Sequence, residues 1–314
     1  LWVFGTDSVE VWYDAGTADF PLQRIQGAFN EIGCVSAYSI AKLDNGLFWL
    51  GTDARGQGIV YRANEYAIAQ YGNISDAIAY TYQQEGHAFY VLTFPSGNAT
   101  WVYDVATEVW HERAGFDNGQ FMRHRSNCQC NFGGNIIVGD FENGNIYRFD
   151  LDVFADNGGT QKWLRSWRAL PPGQNNFKRT AHHTLQLNAE TGVGLVGKPA
   201  QTSDGIVTEL LNVSPTGPSY QLITETTNDN IVTEEYSATL GYDPQCMLRW
   251  SDDGGHTWSN EHWASMGKIG EYGYRTFWRR LGMTLKLRDR VYEISGTDPV
   301  KVSIMGAELV ISPT

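Results

Sequence analysis

Charge is scarce in this sequence. Only 18% of its 314 residues are Asp, Glu, Lys or Arg, which suits short strands joined by tight turns better than helices with charged faces. What charge there is leans one way: 35 acidic against 23 basic side chains give a formal net charge of −12, so long-range attraction to nucleic acid or anionic lipid is not expected to drive binding. No apolar run approaches the roughly 18 residues of a membrane-crossing helix, and no basic, apolar, small-residue series marks a secretory leader. No membrane partner is expected. Cysteine is limited to Cys34, Cys128, Cys130 and Cys246; a single C-x-C with no second pair and no suitably spaced His offers zinc no site, and buried free thiols are expected. H-E-x-x-H and G-x-S-x-G are both absent, and GTDARGQG, from Gly51, lacks the Lys-Ser/Thr ending of a phosphate loop. No cofactor, no metal and no catalytic residue is therefore expected. The chain opens at Leu1 inside the strand-like run LWVFG, so further protein upstream is expected.

Glycine and aromatics, by contrast, are plentiful: 34 Gly, 11 Trp and 16 Tyr. They point to an all-β protein large enough to bury a substantial core. Four segments share the pattern apolar strand, Gly- or Asp-rich turn, aromatic strand: LWVFGTDSVEVWYDAG, GLFWLGTDARGQGIVYRANEY, AFYVLTFPSGNATWVYDVATEVW and NIIVGDFENGNIYRFDLDVF. Each predicts an antiparallel hairpin. Their second-strand aromatics Trp12, Tyr61, Tyr103 and Tyr147 fall 49, 42 and 44 residues apart, a period suited to the blades of a β-propeller. One blade cannot bury both of its faces alone, whereas blades packed around an axis cover one another. In TWVYDVATEVW, alternation places Trp101, Tyr103 and Val105 on one face and Val102 and Asp104 on the other.

The rhythm breaks after Phe154. Residues 1–154 are expected to be propeller-like, 155–197 a linker and the first strand of a C-terminal β part, 198–245 a Ser/Thr/Gly-rich insertion, and 246–314 a C-terminal antiparallel segment. That last part reads as a β-sandwich or as divergent closing blades; the pattern does not separate the two.

SDDGGHTW, Ser251–Trp258, fits the sialidase Asp-box S/T-x-D-x-G-x-T-W. Physically it is a turn: two glycines free to take positive φ, Ser and Asp side chains that bond local N–H groups, then Thr257 and Trp258 to begin a returning strand. It contains no pair of carboxylates placed across a scissile bond. Sialidases repeat the box from blade to blade, and TSDGIVT, from Thr202, fails the spacing. His182 and His183 are adjacent on a strand, point to opposite faces and do not converge on a metal. Asp53, Asp104, Asp140 and Asp150 read as turn formers without an evident partner. The basic run RTFWRRLGMTLKLRD, from Arg275, mixes Arg with aromatics. It is read as a sheet face whose Arg275, Trp278, Arg279 and Arg280 contact another protein. MRHRSN, from Met122, is a smaller basic spot.

From Ala18 to Tyr66, and most clearly in RIQGAF, EIGC, FWLG and GIVYRA, the chain resembles the packaged-DNA stabilisation proteins of short-tailed bacteriophages. The resemblance continues in RWSDDGGHTWS and YRTFWRRLG, and is poor over residues 198–245. It implies a tail accessory or hub protein that is longer at its N-terminus. Such a protein self-associates in a ring, meets the portal and its adaptor above and a tail needle or tailspike below, and has packaged DNA nearby without binding it specifically. It implies location in the virion, after assembly in the host cytoplasm. The family brings no catalytic residues. A glycan-binding or sialidase-like propeller remains the alternative.

Overall fold

Alternating apolar and polar residues, interrupted every few positions by Gly, Asn or Asp, make nearly every element an extended strand. The computed structural model describes residues 1–44, 46–52, 58–59, 70–170, 179–193, 209–212, 220–225, 231–236, 243–285 and 289–313. A single 3-10 turn, Ala37–Ser39, interrupts the strands among them. The chain divides into two units, Leu1–Leu151 and Asp152–Thr314.

In the first unit, β1 (Trp2–Phe4), β2 (Val9–Asp14) and β3 (Leu22–Asn30) form an antiparallel sheet. The next strands are β4 (Gly33–Cys34), β5 (Ala41–Leu43), β6 (Gly46–Phe48), β7 (Gly51–Thr52) and β8 (Gly58–Ile59). Here GLFWLGTDARGQGIVYRANEY departs from the expected single hairpin: its first strand pairs backward with β5, while β7 lies between β4 and β8. The cause is a close backbone crossing, in which the Cys34 N–H bonds the Gly5 carbonyl at 2.8 Å and the Val35 N–H bonds the Leu50 carbonyl at 2.9 Å. Asp53 and Tyr61 lie outside the described residues.

β9 (Ile78–Gln84), β10 (His87–Phe94), β11 (Ala99–Asp104) and β12 (Val109–Glu112) form a four-stranded antiparallel meander. A hairpin, β13 (Ala114–Asp117) and β14 (Gln120–Arg123), follows, with Asn118 and Gly119 at φ 48° and 80° in its turn. Then come β15 (Ser126–Phe132), β16 (Asn135–Asp140) and β17 (Ile146–Arg148). Both faces of the four-stranded blade are covered. On one, Tyr90, Leu92 and Phe94, with Trp101 and Tyr103, pack against Leu43, Phe48 and Leu50 from the segment before it. On the other, Tyr80, Tyr82, Val91 and Val102 pack against Ile136 and Phe149 from the segment after it. This is the mutual covering that makes stacked blades stable.

The thiols depart from expectation. Only Cys246 is buried; Cys34 is half-buried, and Cys128 and Cys130 are exposed. The register explains it. Cys128 and Cys130 lie opposite Gly139 and Ile137, whereas Gln129 and Asn131 lie opposite Val138 and Ile136, and Ile136 is on the face packed against the blade.

The second unit begins with a small hairpin, β18 (Ala155–Asp156) and β19 (Gly159–Thr160), then β20 (Trp163–Arg168) and β21 (Thr180–Ala189). Inside the Ser/Thr/Gly-rich stretch, β22 (Glu209–Asn212), β23 (Tyr220–Glu225) and β24 (Ile231–Tyr236) make a separate antiparallel sheet; TSDGIVT, residues 202–208, lies outside the described residues. The chain ends with β25 (Gln245–Ser251), β26 (His262–Ser265), β27 (Thr276–Met283), β28 (Val291–Gly296) and β29 (Ile304–Pro313). Two sheets, ordered β20-β28-β25-β26 and β27-β21-β29, face each other. Leu185, Leu187, Trp278 and Leu281 from one meet Cys246, Leu248, Tyr292 and Ile294 from the other. Of the two readings left open by the sequence, the sandwich is the one formed.

Candidate functional site

The Asp-box is a turn wired from within. Ser251 Oγ donates to Asp253 Oδ1 at 2.6 Å and accepts the N–H groups of Gly255 at 2.8 Å and Asp253 at 3.3 Å. Asp253 Oδ1 also accepts the N–H groups of His256 and Thr257 at 3.0 and 2.8 Å, and Oδ2 accepts the Thr257 hydroxyl at 2.7 Å. These bonds, led by Ser251, hold its carboxyl below the usual carboxylate range. Gly254 and Gly255 take φ 76° and 106°. Thr257 is tied back to Asp253, and Thr257 and Trp258 do not begin the returning strand; the chain first bonds back to β25 at Ser259, whose N–H reaches the Trp250 carbonyl at 2.8 Å, and the β26 ladder starts at His262. Trp258 instead lies under the Arg249 guanidinium, 4.7 Å from its ring centre, and Arg249 pairs with Glu293 at 2.5 Å. A groove of about 350 Å³ borders the turn, lined in part by Trp250, Trp258, Asp252 and Asp253.

Asp252, the other carboxylate of the groove, belongs to a buried hub. Arg290, 4% exposed, donates from Nε and Nη2 to the two Asp252 oxygens at 2.7 and 2.9 Å, and to the Leu281 and Met283 carbonyls at 2.8 and 3.1 Å. The forked pair lashes the Asp-box turn to the end of β27 in the opposite sheet. Both groove carboxylates are thus spent on structure, and neither stands free to act as acid, base or nucleophile.

His182 points inward and His183 outward, as their adjacency on a strand requires. His182 Nδ1 meets the Tyr292 hydroxyl at 2.8 Å and Nε2 meets Thr180 Oγ1 at 3.0 Å, while His183 bonds Ser312 at 2.9 Å on the exposed side. Burial, with Arg290 nearby, pushes His182 down to about 4. The unfolded chain therefore takes up a proton that the folded one refuses. The stability due to neutral His182 is complete above about pH 6.5 and is lost as the pH falls toward 4, with a slope of roughly 1.4 kcal/mol per pH unit. Unfolding free energies between pH 6 and 5 should fall more steeply in the parent than in His182→Gln, the difference approaching this slope; equal slopes would refute it.

The turn aspartates have partners that the sequence did not disclose. Asp104 accepts the Ala106 N–H and the Thr107 hydroxyl at 3.0 and 2.9 Å, and its second oxygen lies 2.8 Å from His87 Nδ1. Burial raises its pKa, but the bond to His87 and the others outweigh that and bring it down. Asp140 accepts the Glu142 N–H and the Tyr147 hydroxyl at 2.8 and 2.9 Å and pairs with Arg125 at 3.3 Å; Asp150 pairs with Arg148. In the smaller basic spot, Arg123 lies 3.6 Å from the Phe141 ring centre, and His124 meets Ser126 Oγ at 2.6 Å. Most of that cluster is turned to internal work.

The β27 residues separate sharply. Trp278 is 5% exposed, donates to the His262 carbonyl at 2.8 Å and sits in the sandwich core. Strand alternation sends it inward, so it is a packing residue and not part of a contact surface. Arg275, Arg279 and Arg280 are exposed. Arg279 lies 4.3 Å from the Phe277 ring centre, and Arg280 takes φ 60°, a bulge conformation that no sequence pattern announced. Among the described residues, no group of three His, Cys, Asp or Glu side chains gathers as metal ligands.

Two family models match the chain. Residues 1–154 match one described as bacteriophage P22 Gp10, beta-propeller, and residues 222–312 match one described as bacteriophage P22 Gp10, beta-sandwich. The chain matches no curated protein.

Proposed function

Since the chain belongs to the phage stabilisation family of the P22 Gp10 type, a family of structural virion proteins, we propose that it is a tail hub. In this reading it joins the portal and its adaptor to the distal tail and helps to retain packaged DNA. Copies associate side by side in a ring, with the adaptor above and a tail needle or tailspike below, after assembly in the host cytoplasm. The observation that carries this reading is the order of its two bodies, propeller then sandwich, both matching that family.

The physical chemistry supports docking over turnover. A blade covered on both faces makes a stiff body, and a net charge of −12 lets DNA lie close without adhering. Acidic side chains are expected along the axial surface of the ring; a basic lumen would contradict this. A glycan-acting propeller finds less support, because the Asp-box closes a turn of the sandwich, its carboxylates are committed, and no blade repeats it among the described residues. The test is the native mass of the full-length protein with and without its adaptor. A closed oligomer in the presence of the adaptor supports the ring, and a monomer under both conditions overturns it.

A further inference from the structure

Among the described residues, three cations on and beside one strand lack a carboxylate partner. Arg24, Arg125, Arg148, Arg168, Arg249 and Arg290 each hold a carboxylate. Arg275, Arg279 and Arg280 form no ion pair among the described residues, although the chain carries 35 acidic side chains. They sit on and beside β27, an edge strand of the β27-β21-β29 sheet. Register fixes what surrounds them. Arg279, Thr184 and Val310 make one outward row and Phe277, Gln186 and Glu308 the next, while Leu185 and Trp278 face the core. Phe277 is 38% and Val310 57% exposed. Arginine interleaved with exposed aromatic and aliphatic side chains is the composition of a protein contact. A phosphate-binding strip would extend the charge where Phe277 and Val310 stand, and it would work against the net charge of −12.

The complement lies at one end of the first unit. The β5–β6, β9–β10 and β11–β12 turns carry Asp44, Glu85 and Glu108, all exposed and at φ 44°, 50° and 56°. Asp44 and Glu85 border a shared depression of about 400 Å³, whose wall includes Val105 and Ala106 of the third turn. None of the three acids is in an ion pair among the described residues. Every copy thus carries an unpaired basic sheet face on its sandwich and an unpaired acidic turn end on its propeller, two different surfaces of opposite sign. That is the arrangement a head-to-tail contact requires, and head-to-tail contacts close into rings when the rotation allows.

We propose that the outer face of β27, through Arg275, Arg279 and Arg280, docks on the acidic turn end of a second copy, at Asp44, Glu85 and Glu108. The proposal rests on the ring reading above and names its contact. Charge complementarity of this kind sets partner and register.

The experiment uses the full chain with its adaptor and reads assembly by native mass and sedimentation. Arg279→Glu/Arg280→Glu is expected to weaken self-association at least tenfold, as is Glu85→Arg/Glu108→Arg. Each should keep the parental melting temperature, because all four side chains are exposed. The chain carrying all four substitutions should assemble again. Parent-like assembly by the arginine variant overturns the proposal and leaves the ring standing, whereas a parent that stays monomeric removes both. Failure of the fourfold variant to reassemble overturns the pairing. Unchanged assembly with lost binding of a short DNA duplex overturns it in favour of a nucleic-acid surface.

Discussion

Arg290→Leu destabilises the sandwich unit by about 3–5 kcal/mol, the cost of breaking a buried pair from one side. Three losses coincide at this position. Asp252, 9% exposed at its side chain, is left as a buried carboxylate without its counter-ion. The Leu281 and Met283 carbonyls lose their donor, at roughly 1–3 kcal/mol for each buried group left unpaired. The Asp-box turn loses its tie to the opposite sheet. Urea unfolding followed by tryptophan fluorescence reads the effect, because Trp163, Trp167 and Trp250 pack against the same core. The double variant Arg290→Leu/Asp252→Leu separates the causes: it removes the stranded charge and should recover part of the loss, but the carbonyls stay unpaired and full recovery is not expected. A loss below about 1 kcal/mol in the single variant would show that the hub does not hold the two sheets together.

Arg290 also marks the boundary of what the sequence discloses. Period-2 alternation in TWVYDVATEVW assigns Trp101 and Tyr103 to one blade face and Val102 to the other, and the packing agrees, because alternation is a local property of strands. The Asp-box is legible for the same reason: its donors and acceptors all fall between Ser251 and Thr257. Illegible are the links that join distant segments. The sheet order β20-β28-β25-β26 brings Trp163 beside Gly296, and Asp252 meets Arg290 across 38 residues; no spacing rule predicts such pairings. Composition groups Trp278 with the arginines beside it as a contact residue. Its burial follows from strand phase, and that phase is visible only once Leu185 is known to lie opposite. The bulge at Arg280 and the exposure of Cys128 and Cys130 are likewise consequences of register.

Gly33→Ala is expected to cost about 3 kcal/mol, at the upper end of what overpacking does, through sterics alone. A Cβ at Gly33 falls 1.8 Å from the Thr6 carbonyl oxygen, 2.1 Å from its carbon and 2.5 Å from the Asp7 nitrogen. All three are backbone atoms of the β1–β2 connection, so no rotamer change relieves the clash. The strand must move, and with it the 2.8 Å bond from the Cys34 N–H to the Gly5 carbonyl, which fastens β4 to the first sheet. Two other glycines calibrate the effect. At Gly296 the crowding comes from the Trp163 indole, 2.6 Å away; a side chain can shift, so Gly296→Ala should cost less. Gly72 has nothing within 4 Å of its Cβ position, and Gly72→Ala should be neutral or slightly stabilising, since it only restricts the unfolded chain. Chemical unfolding of the three variants should rank Gly33 well below Gly296, with Gly72 near the parent. A Gly33→Ala protein within about 0.5 kcal/mol of the parent would mean that the crossing between β4 and the β1–β2 turn is looser than these distances allow, and that the first sheet is not anchored there.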